Sequence, residues 1–364
     1  MRLRCSLTIL FVLVVSPFFS VTSVDAQDGG QELCPQFVPD VISELGTNCA
    51  NHLVGEVCYG YELVEAMPVP GLTFPDGSFD EAGDRLPVTD VALVSTSGLD
   101  VDADPPTWGF ALIKINAYIG MNEETGEPES TELLYIVPGG VTIEAVNEPQ
   151  YDDNGTLLLG EVDGVEYLAP LQEVFIRNLY EAPMCADAIP SFLIVQGPPG
   201  EAIDIVVNGA VIRVEGTIVL EILPDADLET GEFLRVTTLF GMVTLNPDTP
   251  SALLVPPGFF SQLNLADAED IGLDNIENDQ PVEGVDWSAP QQLTQNGLDR
   301  MALLETFPDN IVELIDVPVL IVASGAGGPQ PQFVFENPQA LALAQEACAA
   351  TPPLLPEAIC DFLF

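Results

Sequence analysis

Positive charge is what this chain has least of. Of 364 residues only eight are lysine or arginine, against 57 aspartates and glutamates, and the formal net charge is −49. Lys114 is the single lysine and His52 the single histidine. Recognition of a phosphate backbone needs clustered Lys and Arg, so nucleic acid is a poor partner, and anionic membrane is excluded on the same ground. A Ser–His–Asp type of triad needs a histidine base. His52, three residues after Cys49, has no nucleophile that sequence can assign to it and reads as a structural or surface histidine. No Gly-x-Ser-x-Gly elbow occurs, and no Cys-x-x-Cys pair that would begin a zinc site. No segment beyond the first 26 residues is apolar enough to span a bilayer, so no transmembrane helix is expected after signal cleavage.

The beginning of the chain reads as an export signal. Arg2 and Arg4 form a short positive region, Leu7 to Phe19 is mostly apolar, and Val24-Asp25-Ala26 places short residues before a cut after Ala26. The apolar run falls short of the ~20 residues of a spanning helix, and Pro17 interrupts it. The expectation is a secreted protein, extracellular or on the periplasmic side of an envelope.

Hydrophobic residues make up 47% of the chain, enough to build cores, so the acidity does not imply disorder. A folded protein of this mass exposes about 13,000 Å², which puts unbalanced charges roughly 16 Å apart. The Debye length is about 8 Å at physiological ionic strength and about 30 Å at 0.01 M. Self-repulsion is therefore screened in ordinary medium and felt in dilute buffer.

Six cysteines follow the signal segment: Cys34, Cys49, Cys58, Cys185, Cys348 and Cys360. An even number in an exported chain argues for three disulfides, and fifteen pairings are open. Asn337-Pro338 reads as N-cap and first position of a helix running to Cys348, with a short second turn from Pro356 to Cys360, so Cys348–Cys360 is the preferred pair. Cys34 and Cys49 flank a short helix expected from Pro39 to Leu45 and ended by Gly46; they pair with each other or each reaches elsewhere.

The fold class expected is mainly β: two sandwich, barrel or roll-like blocks, with a helical N-terminal cap and a C-terminal helical staple. The divisions are a signal peptide at 1–26, a Cys-rich cap at 27–58, and a β domain at 59–183. A second β domain follows at 184–265, then an acidic and Gly/Pro linker with a short helix and a late strand at 266–336, and a helical hairpin at 337–364. In the first block Trp108 to Tyr118 has strand spacing, and Leu133–Val137 and Val141–Val146 flank the turn signal Pro138-Gly139-Gly140. Thr156–Leu159 and Val165–Leu168 flank Asp163-Gly164, and Leu171–Leu179 is a further strand. In the second, Ile203–Val207 and Val211–Val214 flank Asn208-Gly209, the strongest short hairpin signal because both residues accept positive φ. Thr217–Ile222, Phe233–Leu245 and Ser251–Val255 continue it. Leu298–Phe307 reads as a short helix and Val317–Ser324 as the late strand. Gly325 to Pro331 reads as linker, because the third glycine of a GxGxxG pattern would fall on Gln330.

Three points in the second block, at about 190–265, carry a family resemblance. They are Val214-Glu215-Gly216-Thr217, Leu239-Phe240-Gly241-Met242-Val243 and Leu254-Val255-Pro256-Pro257-Gly258. In order and spacing this stretch resembles the FecR-type β domain. The resemblance implies an exported β module of bacterial envelope proteins, whose best-known members pass signals from the periplasm to a sigma-factor system. This chain differs in lacking the short cytoplasmic segment and single membrane helix before the domain. With Cys58-Tyr59-Gly60 upstream, the whole also resembles secreted, Cys-containing bacterial envelope proteins of no established activity.

Calcium is the one metal the sequence suggests. Asp100, Asp102 and Asp104 alternate as in the start of a calcium loop, but Pro105 and Ala111 stand where such a loop needs Gly and Glu. Otherwise no cofactor is expected. Asp152, Asp153 and Asn154 read as turn residues, and Asn154-Gly155-Thr156 is a glycosylation sequon. Three functions follow. The first is a non-enzymatic exported protein presenting β domains for binding a protein or glycan, or for assembly, at the cell envelope or outside the cell. The second is an envelope sensing component. The third is a carbohydrate-active enzyme with paired carboxylates that sequence cannot locate.

Overall fold

A computed structural model describes residues 34–104, 106–122, 124–162, 164–178, 191–198, 200–224, 232–265, 286–294, 297, 301, 304, 307–308, 319–325 and 328–334. The expected signal peptide, the Asn337–Cys360 staple and Cys185, Cys348 and Cys360 lie outside them. The fold is mainly β, as expected. Among the described residues one helix, α1 (Cys34–Asn48), precedes the strands β1 (Glu56–Tyr61), β2 (Val64–Pro68), β3 (Arg85–Pro87), β4 (Val91–Thr96) and β5 (Phe110–Met121). Then come β6 (Pro128–Pro138), β7 (Val141–Ala145), β8 (Gly160–Val162), β9 (Val165–Tyr167), β10 (Glu173–Asn178) and β11 (Leu193–Gln196). The last group is β12 (Ile203–Val207), β13 (Ala210–Pro224), β14 (Glu232–Leu245), β15 (Leu253–Val255), β16 (Phe259–Asn264), β17 (Gln291–Gln292), β18 (Val319–Gly325) and β19 (Gly328–Val334).

Fifteen of these strands form one sheet, whose path is β2-β4-β7-β10-β12-β13-β11-β6-β5-β1-β3. Its logic lies in β13. The first part of one edge, Ala210–Val214, pairs with β12, and the second part of the same edge, Thr217–Leu220, pairs with β11. The other edge pairs with β14 from Ile212 to Pro224. Two half-sheets thus diverge from one long hairpin and fold toward each other over a common core. Strands of both expected blocks share the sheet: β6 pairs with β11, and β10 pairs in parallel with β12.

Contacts across the fold confirm that the halves face one another. The Tyr135 hydroxyl on β6 donates to the Leu171 carbonyl just before β10 at 2.9 Å. The wholly buried Gln172 amide accepts from Tyr118 N at 2.8 Å and donates to Tyr118 O and Asp204 O, both at 2.8 Å. It thereby ties β5 to β12 and satisfies backbone groups that would otherwise be buried unpaired.

Burial differs between the halves. In β12 and the first part of β13 buried and half-buried residues alternate, the period of a sheet with one face toward water. In β6, β11 and the second part of β13 buried residues run consecutively, so both faces are covered. α1 supplies part of the cover: Val38, Val41, Ile42 and Leu45 are buried, and Phe37 meets Tyr61 edge-on at 6.4 Å. Phe307 meets Phe110 edge-on at 6.4 Å and supplies more.

Several sequence expectations change. α1 is longer than Pro39–Leu45, passes through Gly46, and ends at Asn48, whose side-chain amide donates to Gly60 O at 2.9 Å. Pro138-Gly139-Gly140 does not close a hairpin; it carries the chain from β6 in one half-sheet to β7 in the other. Gly139 stands there because a Cβ would strike the Trp108 indole. Gly325–Pro331, expected as linker, contributes to β18 and β19, which pair from Val319↔Val334 to Gly325↔Gly328. Leu298–Phe307 lies largely outside the described residues.

Candidate functional site

The three motif glycines converge on one corner. Gly216 (φ +117°) and Gly241 (φ +77°) are cross-strand partners at the point where β13 and β14 pass from one half-sheet to the other. Next to them the register shifts: Thr217 pairs with Phe240 and Ile218 with Thr238, leaving Leu239 as the extra residue of a bulge. A bulge bends and twists its strand, and the two positive-φ glycines allow the bend from both sides. A Cβ on Gly241 would overlap the Glu215 carbonyl oxygen, and one on Gly216 the Phe240 carbonyl oxygen. Gly258 (φ +80°) ends the Val255-Pro256-Pro257 turn, and its N–H donates to Thr238 O at 2.9 Å. The buried Thr238 hydroxyl donates to Val255 O at 2.8 Å. This turn also changes halves, linking β15, beside Val243–Leu245, to β16, beside Phe233–Thr237.

Among the described residues the scarce cations are all engaged within the fold. Each of the five described bases meets a carboxylate: Arg85 with Glu56 at 3.8 Å, Lys114 with Glu132 at 2.8 Å and Arg177 with Glu144 at 3.3 Å. Arg235 meets Glu221 at 3.7 Å, and Arg213 meets both Asp204 at 2.7 Å and Asp248 at 2.6 Å. Arg213 holds Asp204, its direct cross-strand partner, with two parallel bonds, the strong geometry for a guanidinium. Its hydrogen bonds to Asp248 and its charge keep that exposed carboxyl below the usual range. The Glu221 side chain is only 3% exposed, and Arg235, directly opposite, also lies over the Phe260 ring at 4.6 Å. Sequence offers no means of picking Glu221 from the other carboxylates; its position between Leu220 and Ile222 is the only trace of burial.

Around the N-terminal cap the structure shows one of the expected disulfides, Cys49–Cys58. It rules out the Cys34–Cys49 pairing that the helix flanks left open; Cys34 opens α1. His52 lies within this loop and is 8% exposed. Its Nε2 donates to Glu56 O at 2.8 Å, and its Nδ1 has no partner. Burial lowers its pKa to about 4, with the Lys114 and Arg85 charges acting the same way. The histidine is structural, one of the two roles its sequence setting allowed.

The Asp100–Asp104 loop does not assemble a ligand set. Asp100 pairs its backbone with Thr107, and its Oδ1 accepts from Asp102 N at 3.0 Å and Ala103 N at 3.1 Å, so the carboxylate caps its own turn. Among the described residues no group of three or more His, Cys, Asp or Glu is placed to hold a metal ion. Asp152 behaves like Asp100, accepting from Asn154 N and Thr156 N. Among the described residues no helix is long and apolar enough to cross a membrane.

Fold and chemistry together define a mainly β protein with one curled sheet, a disulfide-tied helical cap and internally paired cations. A scan against protein-family models finds no match, and searches of curated proteins and of solved structures find none either.

Proposed function

We propose that this is a non-enzymatic exported protein that presents its β-sheet for binding or assembly at the cell envelope or outside the cell. The observation that carries this reading is the asymmetry of the half-sheets. One is covered on both faces. The other leaves toward water a face that includes Met67, Leu93, Phe175, Val206 and Val211, with Arg177–Glu144 and Arg213–Asp204 between them. The Cys49–Cys58 bond suits an oxidising compartment. A photo-crosslinking side chain at Phe175 or Val206 of the exported protein tests the face, with Asp153 in an exposed turn as control. A discrete adduct from the two face positions and none from the control is expected. The same adducts from all three positions, or none, rule out that face as a binding surface.

A second reading, an envelope sensing component, is favoured by the convergence of Gly216, Gly241 and Gly258 on one corner, since these are the residues that carry the FecR resemblance. It requires the partner crosslinked to the 185–265 region to be an integral membrane protein. A soluble or glycan partner there removes it.

A further inference from the structure

We propose that the Cys49–Cys58 loop is an acid-opened latch on the α1 cap, released when the His52 ring takes up a proton. The loop is fastened at several points. Gly55 N donates to Lys114 O on β5 at 2.7 Å, Val88 N donates to Gly55 O at 2.9 Å, and Arg85 Nη1 on β3 donates to Asn51 O at 2.8 Å. Leu53 N donates to Glu56 Oε2 at 3.0 Å, and His52 itself to the Glu56 carbonyl. The charged groups around the ring are Glu56 on β1, Arg85 on β3 and Lys114 on β5, with Glu132 on β6 holding the Lys114 ammonium.

The neutral ring suits this setting, with Nε2–H donating and Nδ1 as a bare acceptor. A protonated ring does not. It gains an Nδ1–H with no acceptor, in a buried place, beside two cations that together outweigh the Glu56 carboxylate. Moving the ring into water relieves all three costs, and it withdraws Asn51 and Leu53 from their contacts. The last turn of α1 feels the change first, because it ends at the loop's root, where Asn48 donates to Gly60 O and Cys49 is bonded to Cys58. The disulfide itself keeps the opened loop tethered, which makes the change local and reversible.

The direction in pH is fixed by linkage. The value is lowered on folding, from 6.5 to about 4, so the open loop binds the proton more readily than the closed one. Opening is unaffected well above pH 6.5 and is promoted progressively as pH falls through 6.5 toward 4. By pH 4.5 the opening equilibrium rises by roughly 60-fold over its value at pH 7.

Because His52 is the chain's single histidine, its ring protons are unambiguous in a proton NMR titration. That titration is run beside hydrogen exchange of residues 34–58, corrected for the intrinsic pH dependence. The expected result is a ring midpoint far below 6.5 and a matching rise in exchange of the cap, absent from the β13–β14 hairpin and absent from His52→Gln. A ring that titrates near 6.5, or a cap in His52→Gln that opens as the parent does, overturns the proposal. Should His52→Gln not fold, the parent alone decides: coincident midpoints of ring and cap support the latch, and separate ones overturn it.

Discussion

Gly216 and Gly241 face each other where two strands turn a corner, and each is closed to any larger residue for two reasons. The backbone has positive φ, and a carbonyl oxygen occupies the place of the missing Cβ. These two costs separate experimentally. Gly77 has a similar φ, +78°, but open space around its Cβ position. Gly77→Ala is expected to cost about 1 kcal/mol, from the backbone conformation alone. Gly241→Ala should cost several times more, roughly 3 kcal/mol or beyond, because the Glu215 strand must shift as well. Urea denaturation of both variants compares them, and equal losses would mean that the corner yields. The glycines themselves were legible in the sequence as punctuation in three short motifs. Their common task was not, since Gly216, Gly241 and Gly258 meet only through pairings set by the register of β14. Residues with local roles were easier to read. Asn208 and Gly209, at φ +50° and +78°, make the expected hairpin turn. The Asn208 amide does more than the dipeptide rule anticipates, bonding to both N and O of Ile176 on β10.

Among the elements, an unbroken apolar pattern decided what was legible, not length: β13, the longest strand, reads in sequence as two, Val211–Val214 and Thr217–Ile222, because Glu215-Gly216 parts its apolar runs. β5 and β14 carry long apolar alternations and were expected nearly as found. β1 to β4 are short, interrupted by Gly, Pro and acidic residues, and become strands only because a neighbouring edge is there to pair with. β19 holds Pro329 and Pro331, which read as breakers; it survives because it is one strand of an isolated two-stranded ribbon. The ion pairs between strands divide in the same way by surroundings. Arg177 is 75% exposed and Glu144 42%, so Arg177→Ala should change stability by less than about 1 kcal/mol. Arg235 stands over a carboxylate that is nearly sealed from water, and Arg235→Ala takes the counter-charge from it; a loss of roughly 3 kcal/mol is expected. Thermal melts at pH 7 distinguish the two, and a small loss at Arg235 would show that Glu221 is neutral in the fold or that water reaches it.

At the scale of the whole molecule the net charge of −49 outweighs every single ion pair, and each described base is already matched within the fold. The excess is therefore carboxylate that the described bases do not balance. Raising NaCl from 10 mM to 500 mM should raise the melting temperature by several degrees, since about 1 kcal/mol corresponds to ~2–4 °C for a chain of this size. An unchanged midpoint would mean that the carboxylates are too far apart to repel. Composition foretold this charge balance and the β class. It could not foretell that strands from both sides of residue 184 share one sheet, because pairing between distant segments leaves no local pattern.

The placing of β13 also sets an order of assembly. Up to residue 178 the chain holds, besides the short β8–β9 pair, two separate ribbons, β2-β4-β7-β10 and β3-β1-β5-β6, each ending in an edge that waits for a strand still to come. β11 closes the β6 edge, β12 closes the β10 edge, and β13 joins the two; all three lie downstream. A chain made from its N-terminus therefore passes through a stage in which β6, buried on both faces in the end, is an open apolar edge. The later hairpin, whose strands are neighbours in sequence, can form by itself and serve as the template on which the earlier ribbons dock. The hairpin made after those ribbons would then fold before them.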